Sequence, residues 1–401
     1  MSPNGRTRAA LRARHDAAWR DPAEVSALWR EAGTVDPRLL SQRVRGAFWE
    51  VLAQAELTLL VTREYEHLVL ALSAAGGRPT TTYLPLPHPS GLAWDASRGL
   101  LHVASTRNPN AVYRLRPARA LSAAADGGAR DVPNRPLVPA GCRFYPGCLY
   151  LHDLALVGDR LHGNAVGQNA VVRLEADGRY SRVWWPRAIE TRGVPDFARN
   201  YLQLNSIAAG EDLAHSFFSA STDARSARRP GQRHFPVDGR GVVFDGATRE
   251  PIARGLTRPH SARLVSGRVW VANSGYGEIG VVQDGHFDAC VRLPGWTRGL
   301  GFAGHVAFAG TSRVLPRFRQ YAPGLELDDS TCGVHAVDTR TGRVLGSVLW
   351  PWGNQIFAVE PVPARHTHGL PFTAGRRRAH GRERELFYAY ETTPAEEERV
   401  P

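Results

Sequence analysis

The feature that most constrains this chain is a repeat. Five segments, beginning at Pro89 (PSGLAWDASRGLLHVAST), Leu151 (LHDLALVGDRLHGNAVG), Leu204 (LNSIAAGEDLAHSFFSAST), Pro259 (PHSARLVSGRVWVANSG) and Thr297 (TRGLGFAGHVAFAGTS), share one grammar. Each reads as a short apolar strand, a tight turn and a second strand ending in small polar residues. Such units cannot bury their apolar faces alone and must stack. A sixth start, NQIFAVEPV from Asn354, lacks the rest of its unit, while the strand-like runs ELTLLVT, HLVLALS and TTTYLPLP precede the first complete unit. One blade shared by the two ends closes a ring and leaves no open sheet edge. The expectation is an all-β fold, a six-bladed β-propeller with an N-terminal helical extension. Residues 1–55 form the extension, 56–371 the propeller and 372–401 a peripheral charged tail; a sandwich followed by a second unit is the alternative.

Two helices are expected in the extension. Asp21-Pro22 caps AEVSALWREA, and Asp36-Pro37 starts LLSQRVRGAFWEVLAQ, with Leu40, Val44, Phe48 and Val51 or Leu52 along one face. Residues 223–240 and 313–331 exceed what bare blades need and read as inserted loops.

Composition narrows the chemistry. The 401 residues have a formal charge of +12, but lysine is absent and all 50 basic side chains are arginine. Schiff-base, P-loop and Ser-Lys chemistries are therefore excluded. The arginines are scattered, and the one dense run, Arg376 to Arg378, precedes an acidic stretch, so no nucleic-acid partner is expected. Cys142, Cys148, Cys290 and Cys332 have no metal-ligand spacing and read as reduced thiols. No leader or membrane-spanning run is visible, and a cytoplasmic location without membrane contact is expected.

In a propeller the first strand of each blade lines the central channel, so register predicts the axial residues. Ser90, His152, Asn205, His260, Arg298 and Phe357 align at one level; His88, Tyr150, Gln203, Arg258, Trp296 and Gln355 align two residues earlier, nearer the mouth. Loops after the second strands add Thr106 and Arg107, Asn164 and Asn169, Ser221, Asn273 and Glu278, and Thr311 to Arg313. Water can satisfy a polar plug, and Asn and Ser favour turns. Imidazoles and guanidiniums converging on one channel are nevertheless better explained by a ligand. Strand alternation points Asp153 off the channel face and keeps Ser261 from pairing with His260.

The segments LHDLAL, LNSIA, RPHSARLVSGRVWVANSGYGEIGVV, LPGWTRGLGFAGHVAFAGTSR and CGVHAVDTRTGRVL resemble the uncharacterised bacterial family known as domain of unknown function 4915, over roughly residues 56–365. The resemblance implies a propeller and a place in biosynthetic gene neighbourhoods. It also implies an axial set of histidines and one glutamate suited to a divalent metal. His152 and His260 match that set, whereas Gln203 and Gln355 stand where a histidine and the glutamate are expected.

Three functions are weighed. The first is an enzyme of bacterial specialised metabolism acting on a small metabolite, for which the axial arginines suit an anionic group. In it, His152 or His260 is the general acid or base, titrating near neutrality, and Arg298, counted with them as catalytic, and Arg258 hold a carboxylate or phosphate or stabilise a developing enolate or oxyanion. His88, Tyr150, Asn164, Gln203, Asn205, Asn273, Trp296 and Gln355 complete the binding set; isomerase, cyclase, lyase and hydrolase chemistry stay open. The second keeps a divalent metal on His152, His260 and His88, although no cofactor is favoured; calcium is disfavoured because the axial layer shows no carboxylate. The third is a non-catalytic propeller that binds a peptide, a carrier protein or a pathway enzyme, to which the Trp184-Trp185 pair would contribute.

Overall fold

The computed structural model describes residues 34–118 and 136–374, with a few positions outside them, including the paired strands Ser122–Ala123 and Tyr390–Glu391. The expected helix AEVSALWREA and most of the tail lie outside the described residues.

Six sheets surround one axis. Blades 1 to 5 begin with the inner strands Pro89–Asp95, Leu151–Val157, Leu204–Ala208, Pro259–Val265 and Trp296–Ala303, and each continues outward through three antiparallel strands. Blade 6 takes its inner strand, Val359–Pro363, from the C-terminal part of the chain and its next three, Leu57–Arg63, Leu68–Ser73 and Thr80–Pro85, from the N-terminal part. The ring closes as the repeat predicts. Runs such as Leu68–Ser73 are buried throughout because neighbouring blades cover both faces of each sheet.

The expected second helix does not form as one piece. Only Pro37–Leu40 and Phe48–Gln54 are helical, and Arg43–Gly46 between them is a strand paired with Arg343–Leu349 at the outer edge of blade 5. An unpaired sheet edge offers more hydrogen bonds than one helical turn interrupted by glycine. Gly46, at φ +62, makes the turn, and a Cβ there would lie 2.5 Å from the Leu345 carbonyl oxygen. Phe48 and Leu52 are then fully buried against blades 5 and 6. The propeller therefore begins near residue 43 rather than 56. Phe372–Thr373 adds a fifth strand to blade 6, so the start of the expected tail is also part of the ring.

A bulge recurs in the inner strands of blades 1 to 5, where one extra residue interrupts the register immediately after the strand start. It falls at Ser90-Gly91, His152-Asp153, Asn205, Ser261-Ala262 and Arg298-Gly299. Bulges re-aim side chains and interrupt simple alternation. They also leave short polar side chains free to join blades. Ser90 Oγ donates to the Leu151 carbonyl (2.9 Å), Asn205 Nδ2 to that of Pro259 (2.9 Å), and Ser206 Oγ accepts from Ala262 N (2.7 Å). Part of the polar axial layer is thus the seam of the ring.

Candidate active site

A cavity of about 620 Å³ opens at the axis on the face carrying the inner strand starts. Tyr150, His152, Gln203, Arg258, Trp296, Arg298, Gln355 and Phe357 line it. The expected residues His260, Asn205, Asn164, Asn273 and His88 do not. Asn273 is committed to the scaffold, accepting from Thr257 N and donating to Glu278. His88 packs edge-on against His67, with ring centroids 4.3 Å apart.

Tyr150, Gln203 and Arg258 share a left-handed backbone, with φ of 58, 51 and 56. His88 shares it at φ 46, so four blades use the same costly conformation at the same register position, and in three of them it turns a long polar side chain into the cavity.

Arg298 organises the floor. It is 6% exposed, and its guanidinium lies over the rings of Phe357 (4.2 Å) and Trp296 (5.0 Å). Nη2 meets His260 Nε2 at 3.1 Å, and Nη1 donates to the Gln355 carbonyl oxygen in the amide orientation its neighbours require. In that orientation Gln355 Nε2 donates to Glu64 at 3.1 Å. Gln355 therefore stands between the arginine and the one carboxylate lining the cavity. Arg258, 8% exposed, donates to the Gln203 side-chain oxygen (3.0 Å) and stacks on Tyr321 (4.5 Å). No described acidic oxygen lies within 4.0 Å of either guanidinium nitrogen set, in contrast to the other buried arginines. Burial pulls Arg258 down to about 10, with the Arg298 charge contributing. Arg298 is lowered for the same reason, opposed by Glu64.

His260 supports this floor from behind. Because a guanidinium can only donate, Nε2 must accept, which puts the ring proton on Nδ1, 2.9 Å from Ser261 Oγ. Ser261 Oγ also accepts from Gly299 N (2.8 Å). The expectation from strand alternation that Ser261 could not meet His260 fails, because Ser261 sits in the bulge at φ +55. Burial first, then the Arg298 charge, holds His260 well below the usual imidazole range. It is a neutral positioning residue for Arg298.

His152 is the imidazole that faces the cavity. Its ring lies 6.0 Å from that of His260 and edge-on to Phe357 at 5.3 Å. Burial, followed by Arg298 and Arg258, lowers it well below 6.5, opposed by the Asn205 amide beside it. Neither histidine titrates near neutrality as the sequence suggests. Arginine neighbours were visible in the alignment, but the depth of burial was not. His152 Nδ1, Asn205 Oδ1, both Asn164 amide atoms, Arg298 Nε and Trp296 Nε1 are buried with no partner in good geometry. Native interiors rarely leave so many polar atoms unsatisfied in one region.

Glu64 and Tyr65 are lining residues absent from the sequence-derived set. They follow the second strand of blade 6, the register position that supplies Thr106 in blade 1, and were overlooked because that blade lacks an inner strand nearby in sequence. Glu64 is buried, accepts from Thr106 Oγ1 (2.6 Å) and lies 3.5 Å from Arg107 Nη2. The expectation of no axial carboxylate is corrected. Gln168, Arg182, Phe197, Arg199, Arg229, Phe318 and Tyr321 also line the cavity, mostly from inserted segments outside the repeat register.

A divalent metal does not fit here. Both His260 nitrogens are engaged, His88 faces His67 instead, and two unneutralised guanidiniums beside His152 repel a cation. Among the described residues, the His/Cys/Asp/Glu group with ligand atoms close together is Glu211, Asp212 and His215, which is exposed and remote from the cavity. All four cysteines are free, and Cys148 lies at the cavity mouth. Trp184 is buried against Phe218 at 3.9 Å, so the tryptophan pair packs the blades.

The profile of the family described as domain of unknown function (DUF4915) matches residues 46–369. The chain belongs to this family. Nothing among curated proteins matches it. Solved structures share the fold at low identity. A chain of the nidogen/laminin complex is 10% identical with a TM-score of 0.50, covering 76% of this chain and 98% of that one. A gluconolactonase from Xanthomonas campestris is 15% identical (TM-score 0.42; 74% and 86% covered). A protein of unknown function from Bacteroides caccae is 10% identical (0.44; 76% and 98%). The first of these likenesses speaks to the fold alone. No helix among the described residues is long and apolar enough to cross a membrane.

Proposed function

We propose that this family member is an enzyme that docks a small anionic metabolite on Arg298 and Arg258 and moves a proton at it through His152. One observation carries the reading: both floor guanidiniums are buried, yet every partner holding them is neutral. A buried charge without a counter-ion is costly, and a ligand carboxylate or phosphate supplies the missing one.

Anion binding also changes His152. The arginine charges that depress its basicity are screened once the anion lies against them, so the ring becomes a stronger base when substrate is in place. Arg298 Nε and Trp296 Nε1, both unpartnered donors, are available to an oxyanion. Assignment to bacterial specialised metabolism rests on the family resemblance.

The test is a thermal-shift screen of the purified protein against carboxylates and phosphate esters, followed by turnover assays on the compounds that bind. Arg298→Gln and Arg258→Gln should abolish the shifts. His152→Asn should keep binding and lower turnover by about 10²- to 10⁴-fold. Shifts that survive in the double arginine variant, or full turnover in His152→Asn, overturn the reading.

A further inference from the structure

The cavity is larger and more cationic than one anionic group requires. About 620 Å³ is the volume of a pocket for a drug-sized ligand, several times that of a single carboxylate or phosphate. Six arginines line it against the single carboxylate of Glu64. Arg298 and Arg258 are at the floor; Arg107, Arg182, Arg199 and Arg229 are partly or largely exposed toward the mouth.

Solvent-exposed arginines are individually unremarkable, so their arrangement decides the argument. Of the four at the mouth, Arg107 has a carboxylate within 4.0 Å, that of Glu64. Arg182 is fixed by neutral contacts, donating to Gln168 Oε1 (2.6 Å) and lying over Phe197 (4.3 Å). The insertions that deliver Arg199 and Arg229 also contain Asp196 and Asp223, but these pair with Arg225 (2.9 Å) and Arg254 (3.0 Å), neither of which lines the cavity. Asp196 and Asp223 thus pair directly with arginines outside the cavity, Asp238 accepts from Thr257 and Tyr276, and among the lining guanidiniums only that of Arg107 has a described carboxylate within 4.0 Å.

Between floor and mouth the wall on one side is aromatic. Tyr65 and Phe318 stack at 6.4 Å, Phe318 meets Trp296 at 5.8 Å, and Trp296 and Tyr321 are near-parallel at 6.5 Å. An apolar or planar body suits this belt, with charge at each end.

Resting on the anion-docking reading above, we infer that the ligand is two-poled: a metabolite with one anionic group at the Arg298-Arg258 floor, an apolar or aromatic body along the belt, and a second anionic group among Arg182, Arg199 and Arg229 at the mouth. The second pole is the new element. It makes the inserted segments a specificity device for the far end of the substrate.

Matched aromatic acids test this by calorimetric titration of the full chain at fixed ionic strength: benzoate against terephthalate, naphthoate against naphthalenedicarboxylate, and biphenylcarboxylate against its para,para′-dicarboxylate. At the best-spaced member, the diacid should bind about tenfold or more tightly than its monoacid, the effect of one added charge-assisted contact. Arg182→Gln with Arg229→Gln should erase that advantage, lowering diacid affinity about tenfold more than monoacid affinity; Arg258→Gln should weaken both. Monoacids that bind through Arg258 with no diacid preference anywhere in the series overturn the second pole and leave the floor standing. Failure of every acid to bind overturns both.

Discussion

Two kinds of wholly or partly buried arginine sit in this ring, and their partners separate the struts of the scaffold from the cavity floor. Arg263, on the inner strand of blade 4, is bound by Asp153 of blade 2 at 2.9 Å and supplemented by the Ile207 and Ala262 carbonyls. Arg63, fully buried, meets Glu66 at 3.3 Å and the Leu39 carbonyl at 2.6 Å. Arg298 and Arg258 lie between the fully buried Arg63 and the partly buried Arg263 in exposure but are held by imidazole, amides and ring faces. The chain pairs a guanidinium with a carboxylate at these struts and leaves Arg298 and Arg258 with neutral partners, where the proposed anion would dock. Asp153 illustrates the same division from the acidic side. Adjacent to His152, it turns away from the cavity and is occupied by Arg263 Nη1 and Ile207 N.

This contrast can be broken most directly with one substitution on each side. Arg263→Gln strands Asp153 and should cost about 3–5 kcal/mol in denaturant unfolding, the usual penalty for removing one partner of a buried pair. Arg298→Gln, by contrast, should leave stability unchanged or raised while eliminating ligand binding. Equal destabilisation by the two would erase the distinction.

Ser261→Ala should fall between them, at about 1–3 kcal/mol, because it leaves Gly299 N and His260 Nδ1 without their acceptor. If it only positions Arg298, ligand affinity should drop in Ser261→Ala with little change in the pH profile of turnover.

Glu360 sharpens the scaffold side through pH. Burial raises its carboxyl to about 7, opposed by Arg263 and by the hydrogen bond from Trp94 N, while Asp153 adds to the rise. The folded form therefore holds its proton between the ordinary glutamate value and about 7, where the unfolded chain has released it. Its stabilising contribution is present below that window and is lost as pH rises through it. Glu360→Gln should thus gain stability relative to wild type between pH 4.5 and 7 and remain flat above; parallel pH–stability curves would refute this. The buried histidines His102 and His335, each lowered to about 4, act in the opposite sense, losing stability as pH falls, so the difference between variant and wild type is the informative quantity.

The smallest effect concerns inorganic phosphate. Occupying the floor should raise the melting temperature by a few degrees beyond an equal ionic strength of chloride, about 1–3 kcal/mol of linkage at saturating concentrations. The rise should vanish in Arg258→Gln.

The ring was legible because its periodicity is set by the residues that must turn and pack: five strand pairs and a split sixth announce themselves through Gly, Asp and Asn punctuation. His152, Arg258, Arg298, Gln203 and Gln355 could be aligned at the axis for the same reason. Arg43–Gly46 was misread because Leu40, Val44 and Phe48 have helical spacing, and nothing local reveals that blade 5 has an edge to fill. Ser261 was misjudged because a bulge carries no strong signature when its left-handed residue is serine rather than glycine. Phe197, Arg229, Phe318 and Tyr321 were illegible because inserted loops follow no register, and only the folded path brings them over the cavity.

The split blade has a consequence for synthesis. Glu64 and Tyr65 leave the ribosome nearly three hundred residues before Gln355 and Phe357, which enter the ring beside Val359–Pro363. A nascent chain lacking that last inner strand has no closed ring and lacks the Gln355 and Phe357 part of the cavity floor. The cavity is thus a property of the finished molecule: a chain ending upstream of Gln355 lacks both the inner strand of blade 6 and the floor residues Gln355 and Phe357 on which the proposed anion site depends.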